Sequence, residues 1–479
     1  MFALAAPMQT ELPQLLKTMM ESGYIRLRGL FYRLFQNELI RRLVKNSAYL
    51  FSATGISAAL SLFQSILAAR MLGVAGFGIL GIITMFTSVI NKFASFRMSE
   101  LVIKYVGQYT ETDDQIKAAA VFKAAALTEM SASIVAYSLI WLLAPLGAHY
   151  FTKDASLATW FTLYGLIVLA NLIAESSTGL LQIFDRFRQI AAMNIAQNAI
   201  TLLLTVLAFI TKGGFQEILL AYLLGKAISA LGITYFALAE ATHRWGKGWW
   251  RSPLRALSAK ARELTHFAIS TNISASLSLI NKDSELLWVS VFRSPVEVGY
   301  YKLALSLVNL VQMPVSPLPQ TTYPELSREM ARKNWGNFRY ILRQGSLMAG
   351  SYTLVMTIAL FLLGQALISF LYKPEFLPAY PALMIILVGF LVANTFYWNR
   401  IALLALGKPD FSTMVNLVLA IIKVIGIFLL VPRYGYLASA ALLAGSYTIG
   451  VSLSVWRVYT LLPQGKPSPA AEAASHTTR

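Results

Sequence analysis

Apolar residues in this chain are grouped into long runs that short polar connections separate. A run of about 20 such residues is long enough for a helix to cross a bilayer. Twelve runs follow Asn46, at about 46–69, 78–97, 121–150, 158–184, 190–211, 215–239, 265–292, 299–322, 344–371, 377–406, 411–431 and 436–461. The pattern predicts an all-α membrane protein with twelve transmembrane helices, in which short connections make neighbours antiparallel.

Lys and Arg are distributed unevenly over the connections. With the N-terminus inside, 27 of them fall on the cytoplasmic side and 6 on the other side, where each connection carries one. Positive residues are enriched in cytoplasmic loops. We therefore expect both termini in the cytoplasm and an even number of spans.

The two halves of the chain repeat one another. A shift of 220 to 222 residues aligns Val74–Ile79 with Pro295–Tyr300, Tyr150–Lys153 with Phe370–Lys373, and Gly213 with Gly435. Each half holds six spans, so the repeats have parallel topology and a pseudo-two-fold axis along the membrane normal. This arrangement predicts two six-helix lobes with a cavity between them, as in a transporter.

The repeat defines the predicted domains. Residues 46–239 form the N-lobe, 265–461 form the C-lobe, and the basic, Trp-rich stretch 240–264 is a cytoplasmic linker between them. Residues 1–45 are predicted to be a basic amphipathic helix on the membrane surface, or disordered. Residues 462–479 form a cytoplasmic tail.

Composition excludes several classes of function. Only 13% of the 479 residues are charged, against roughly 25% in soluble domains. There is no Cys, and the four His residues show no ligand spacing, so we expect no metal site, catalytic residue or cofactor. The net charge of +18 lies mainly in the loops, which favours anionic lipid headgroups over nucleic acid as its partner. No phosphate-binding loop motif is present, so no ATP-driven motor is predicted.

Two segments carry a family signature: the end of the first span, Ala68–Gly78, and the stretch from Asn281 to Tyr301. They resemble the oligosaccharide and polysaccharide flippases, whose superfamily includes the multidrug (MATE) exporters and the lipid II flippase. The resemblance covers about residues 45–461. It implies a MATE-like fold, alternating access, a cationic central cavity, a bacterial inner (plasma) membrane location, and a substrate in which a polyprenyl diphosphate carries the glycan.

Charged residues inside spans are the candidate site residues, since charge in a bilayer is costly and usually functional. Cations can neutralise a lipid diphosphate, and a pocket for cationic drugs should show the opposite sign. The candidates for substrate binding are Lys282, Lys302, Arg400, Lys423 and Lys226. The candidates for charge balance or for H⁺ or Na⁺ coupling are Asp283, Glu285 and Glu175.

Each candidate also has a structural interpretation. Lys282, Asp283 and Glu285 align with Ser61, Leu62 and Gln64 in the repeat, and Lys302 aligns with Gly81. This charged cluster of the seventh and eighth predicted spans thus has no counterpart in the N-lobe, and it forms either a cavity wall or a buried ion pair. Glu175 and Glu129 bind either a coupling ion or a cationic side chain. Asn194, Gln197 and Asn198 contact sugar hydroxyls or join helices.

These observations predict a flippase that translocates polyprenyl-diphosphate-linked oligosaccharide for surface polysaccharide biosynthesis, such as O-antigen, lipopolysaccharide or exopolysaccharide. Its expected partners are the lipid-linked oligosaccharide, membrane lipids, and a polysaccharide polymerase or glycosyltransferases. One alternative is a cation-coupled multidrug exporter of the same superfamily. The other is a non-transporting scaffold of a glycan assembly complex. Enzymatic activity is not expected.

Overall fold

The structure of the protein, a computed structural model, describes residues 38–94, 98–278 and 284–463. Every regular element within these ranges is a helix, and none is a β-strand. The predicted all-α fold is therefore confirmed. Most of the predicted N-terminal segment, the end of the C-terminal tail, and both Lys282 and Asp283 lie outside the described residues.

The first half of the chain forms the N-lobe. Its helices are α1 (Glu38–Ala94), α2 (Met98–Glu111), α3 (Gln115–Gly147), α4 (Ala158–Ala170), α5 (Ala174–Ile183), α6 (Phe187–Ile210) and α7 (Phe215–Trp245). Helix α1 contains the first two predicted spans and bends between them at Gly73, whose φ is 66°. Glycine adopts this left-handed conformation without the steric cost that a β-carbon brings.

The second half forms the C-lobe. Its helices are α8 (Ala261–Ser278), α9 (Glu285–Phe292), α10 (Pro295–Gln312), α11 (Leu318–Ala331), α12 (Trp335–Leu371), α13 (Ala379–Thr395), α14 (Asn399–Ala405), α15 (Pro409–Tyr434) and α16 (Tyr436–Leu461). The linker before α8 packs on the N-lobe. There the Trp249 ring lies 5.3 Å from that of Phe122, and Lys123 Nζ donates to the Ser252 carbonyl at 3.2 Å.

Nine helices in the described ranges are long and apolar enough to cross a membrane. The first of them, Thr54–Ala94, covers two predicted stretches. The stretches 265–292 and 299–322 are not among the nine. Helix α9 has only 8 residues, and α10, with 18 residues, carries Glu297 and Lys302. A multi-pass membrane protein is therefore confirmed, whereas the count of twelve spans is not.

The two lobes meet at a pair of glycines that the repeat relates. A β-carbon on Gly78 would lie 1.9 Å from the Pro295 carbonyl oxygen, and one on Gly299 would lie 2.2 Å from the Val74 carbonyl oxygen. Val74 and Pro295 are themselves a repeat pair. The contact is thus symmetric, and the pseudo-two-fold axis passes between Gly78 and Gly299.

The hydrophobic cores show where the lobes join. One core combines both lobes, with Phe77 and Phe376 in edge-to-face contact at 6.1 Å. Nearer the linker, a second core consists mainly of N-lobe residues such as Phe122 but also contains Ala268 of α8, and a third, which includes Trp398, lies in the C-lobe. Within the described residues, the lobes are thus joined near the α1 bend, and α8 also packs on the N-lobe.

Candidate functional site

A cavity of about 340 Å³ lies in the N-lobe among α2, α5, α6 and α7. Most of its lining side chains are polar: Ser99, Asn171, Glu175, Thr178, Asn194, Gln197, Lys226 and Ser229. Charged and amide groups inside a membrane protein line water-filled space or pair with one another, because hydrocarbon solvates them poorly. This cavity is the candidate site.

A break in the fourth span brings Glu175 into the cavity. Helix α4 ends at Ala170 and α5 begins at Ala174. The break exposes the first backbone N–H groups of α5, which have no partners within the helix. Glu129 on α3 satisfies two of them, accepting from the amides of Glu175 and Ser176 at 2.8 Å each, and it also accepts from Ser176 Oγ at 2.6 Å.

Glu129 therefore acts as the cap of α5. Its side chain is 3% exposed, and the partial positive charge of a helix N-terminus favours a carboxylate there. We predicted an ion site or a cationic partner for Glu129, and its carboxylate instead accepts hydrogen bonds from two backbone amides and a serine hydroxyl. Glu175 itself is exposed to the cavity.

Lys226 supplies the cation of the cavity wall. It lies on α7, its side chain is exposed to the cavity, and its Nζ is 5.7 Å from the centre of the Tyr164 ring. The preceding Gly225 lets α7 approach α6, since a β-carbon there would lie 1.9 Å from Thr201 Oγ1. The structure thus brings together Lys226 and Glu175, which the sequence identified separately.

The three amides of α6 divide between the two roles proposed for them. Asn194 and Gln197 line the cavity. Asn198 joins helices, because its backbone carbonyl accepts from Gln64 Nε2 of α1 at 2.6 Å, while its own Nδ2 donates to the Asn194 carbonyl at 2.9 Å. Sugar contacts are therefore available to the first two residues in this conformation.

The tenth span is broken in the same way as the fourth. Helix α13 ends at Thr395 and α14 begins at Asn399. Arg400 is the second residue of α14, as Glu175 is the second residue of α5. Arg400 is exposed. Relative to the break, Arg400 thus has the position in the tenth span that Glu175 has in the fourth, although the two residues are 225 apart and lie outside the 220 to 222 shift of the sequence repeat.

Lys423 and Glu285 form a buried ion pair instead of lining the cavity. The two side chains are 1% and 2% exposed, and Lys423 Nζ donates to Glu285 Oε1. Glu285 Oε2 accepts from Tyr301 Oη at 2.8 Å and from Ser439 Oγ at 3.0 Å. In this conformation the ammonium group of Lys423 is enclosed between α9, α10, α15 and α16 and is not exposed to the N-lobe cavity, and substrate contact by Lys423 stays a prediction.

Lys302 likewise lies outside the cavity. Its Nζ donates to the Phe77 carbonyl at 3.1 Å and sits 3.9 Å above the centre of the Phe77 ring. The space for it comes from Gly81, its own repeat counterpart, whose β-carbon would lie 2.8 Å from Lys302 Cδ. In this conformation, Lys302 joins the lobes beside the pseudo-two-fold axis and does not reach the N-lobe cavity.

Sequence reasoning missed four polar lining residues. Asn171 carried a detectable signal, a lone amide inside an apolar stretch, whereas Ser99, Thr178 and Ser229 had none, because serine and threonine are common in spans. Among the described residues, no group of His, Asp and Glu is arranged to hold a metal ion.

The chain resembles known proteins in both sequence and fold. It is 24% identical over 349 residues to the inner membrane protein YghQ of Escherichia coli (strain K12), which spans 72% of this chain and 97% of that protein. The lipid II flippase MurJ, in an inward closed conformation, superposes with a TM-score of 0.66 and 18% identity over 86% of this chain and 87% of that one.

An inward-facing multidrug resistance MATE transporter of the MOP superfamily superposes with a TM-score of 0.67 and 13% identity, covering 86% of this chain and 96% of that one. The predicted MATE-like fold is confirmed. Residues 43–330 match the family model described as polysaccharide biosynthesis protein. This chain belongs to the polysaccharide biosynthesis protein family.

Proposed function

We propose that the protein is a flippase that moves polyprenyl-diphosphate-linked oligosaccharide across the bacterial inner membrane by alternating access. The observation that carries the proposal is the polar cavity at a broken helix, with Glu175 and Lys226 exposed in its wall. Broken helices in transporters typically surround the substrate site. Family membership supports a glycan substrate.

The chemistry of the cavity suits a sugar that carries an anionic group. Asn194 and Gln197 offer amide donors and acceptors to hydroxyls, and Glu175 accepts from them. Lys226 and, from the equivalent C-lobe position, Arg400 offer cations to the diphosphate. Lys282 stays a predicted substrate contact, and Asp283 a predicted charge-balancing group, outside the described residues.

The lobes are joined near the connections that carry one cation each. With the charge-based orientation, that face would be periplasmic, and we propose that the cavity is reached from the cytoplasm, where lipid-linked units are assembled. We also propose that both termini are cytoplasmic, that Glu175 couples transport to H⁺ or Na⁺, and that a polymerase or glycosyltransferase consumes or supplies the substrate.

Binding measurements on the purified protein test the substrate. A lipid-linked oligosaccharide should bind the wild type, and Lys226→Gln should weaken binding about tenfold, because one charge-assisted contact is worth roughly 1.5–3 kcal/mol. Lys247→Gln, which removes an exposed cation of the linker, should leave binding unchanged. Equal affinity of the wild type and Lys226→Gln would remove Lys226 from the site.

The carboxylate of Glu175 in the cavity wall also fits a rival function, drug export, because a cavity for cationic drugs would carry such a group. The drug-exporter hypothesis predicts that ethidium binds and that Glu175→Gln abolishes this binding, whereas the flippase account predicts no ethidium binding. The scaffold hypothesis predicts no binding of either ligand.

A further inference from the structure

Two lysines connect the lobes at the face opposite the linker. Lys153, after α3 in the N-lobe, donates from Nζ to the Val291 carbonyl of α9 in the C-lobe at 2.9 Å. Lys373, after α12 in the C-lobe, donates from Nζ to the Arg70 carbonyl of α1 in the N-lobe, also at 2.9 Å. Each lobe thus contributes one donor and one acceptor.

The two bonds are related by the pseudo-two-fold axis. Lys153 and Lys373 are separated by the 220-residue shift of the repeat, and the acceptors Arg70 and Val291 by a shift of 221. Both lysines also have positive φ, at 60° and 119°. A non-glycine residue rarely adopts such a φ without a reason in the surrounding structure. Here it occurs in both halves at the residue that reaches across to the other lobe.

The acceptors are backbone carbonyls near helix ends. Val291 is the penultimate residue of α9, and Arg70 precedes the bend of α1 at Gly73. Carbonyls in the last turn of a helix lack intrahelical partners and carry partial negative charge, which favours an ammonium group. Because no acceptor side chain takes part, the bonds depend only on the relative position of the lobes.

Arg70 adds an asymmetric element to the contact. Its Nε donates to the Leu371 carbonyl at 2.7 Å, and its Nη2 donates to the Phe370 carbonyl. Both carbonyls end α12, immediately before Lys373. Arg70 and Lys373 therefore bind each other's segments, the side chain of each donating to the backbone of the other.

We propose that Lys153, Lys373 and Arg70 form a latch that keeps the lobes closed at this face and releases whenever the cavity opens there. The latch is a conformational device for the alternating access in the proposed function, on which it rests. Its bonds lie beside the symmetric Gly78–Gly299 contact. Separating the lobes at this face breaks both lysine hydrogen bonds. Because the two bonds are equivalent in the repeat, breaking either one costs a similar free energy.

The absence of cysteine from the chain makes the latch directly measurable. Spin labels at Lys212→Cys and Arg433→Cys, repeat-related and exposed on this same face of opposite lobes, report the separation of the lobes. The wild type should show mainly the short distance. Removing one lysine as Lys153→Gln or Lys373→Gln should raise the ratio of long to short distances about three- to fivefold, and removing both on the order of tenfold, as for exposed charge pairs.

Matched controls separate the latch from a general loss of charge. Lys247→Gln with Lys408→Gln removes two exposed cations from the opposite face and should keep the wild-type ratio, as should Lys153→Arg with Lys373→Arg. A ratio within twofold of wild type for the double Gln variant, at unchanged melting temperature, would overturn the latch. Because this readout needs no substrate, a shifted ratio in a protein that fails to bind lipid-linked oligosaccharide would support the latch and overturn the proposed substrate.

Discussion

Gln64 and Glu285 occupy equivalent positions in the two repeats and make equivalent connections with different chemistry. Gln64 joins α1 to α6 through an amide hydrogen bond to Asn198. Glu285 joins α9 to α15 through its ion pair with Lys423. Both side chains are less than 5% exposed. Glu285, a member of the charged cluster without a counterpart in the N-lobe, thus serves a scaffold role that the N-lobe fulfils with a neutral residue.

The ion pair gives a prediction about stability. Glu285→Gln should lower the free energy of unfolding by about 3–5 kcal/mol, because the ammonium group of Lys423 stays buried without the carboxylate beside it. Glu285→Gln combined with Lys423→Leu should recover most of the loss. Thermal unfolding of the detergent-solubilised protein measures both, with exposed Glu375→Gln as the control. A wild-type melting temperature for Glu285→Gln alone would contradict the assignment of the pair as structural.

At the scale of elements, the broken fourth span determines the site. An uninterrupted helix would have no free N–H groups at residues 175 and 176, and Glu129 would have no cap to form. The spacing of apolar residues predicted the span but not its break, because Leu172 and Ile173 keep the turn apolar and only Asn171 interrupts the stretch there. The hydrogen-bond acceptors of Lys423 and Lys302 were also not predicted. They lie 138 and 225 residues away along the chain, and sequence spacing reports only neighbours within one helix.

Removing the cap should loosen α5. Glu129→Gln replaces an acceptor of three hydrogen bonds with an amide whose NH₂ group faces other donors. We therefore expect the free energy of unfolding to fall by about 1–3 kcal/mol. Substrate should also bind more weakly, because the loosened α5 displaces Glu175 from its place in the cavity wall. Ser176→Ala, which removes one of the three donors, should cost less. The order of the two melting temperatures is the measurement, and the reverse order would argue against Glu129 as the cap.

At the scale of the whole molecule, the repeat was the most informative sequence feature. It aligned Gly78 with Gly299, and the structure places these two residues against each other on the pseudo-axis. It also aligned Lys153 with Lys373, which form the two symmetric bonds between the lobes. The sequence could not reveal that these pairs touch, because a repeat fixes equivalence between positions but not the distance between them.

The glycine contact predicts how the lobes respond to added volume. Gly78→Ala should open the face that carries the latch, because its β-carbon would lie 1.9 Å from a backbone oxygen that cannot move independently of α10. The spin-label pair at residues 212 and 433 should therefore report longer distances. Gly107→Ala, where a β-carbon meets nothing within 4 Å, is the control. Unchanged distances in a folded Gly78→Ala protein would contradict the closed contact.

The central claim is that this chain alone translocates a lipid-linked oligosaccharide. The most direct measurement uses liposomes that contain only the purified protein and a lipid-linked oligosaccharide with a fluorophore on its sugar, quenched from outside by a membrane-impermeant reductant. With the wild type, we expect label that is initially protected in the inner leaflet to become accessible to the reductant. A pH or Na⁺ gradient should change the rate of this exposure. With the Glu175→Gln, Lys226→Gln double variant, the rate should stay at that of protein-free liposomes. Persistent protection of that label with folded wild-type protein under every gradient would contradict the central claim.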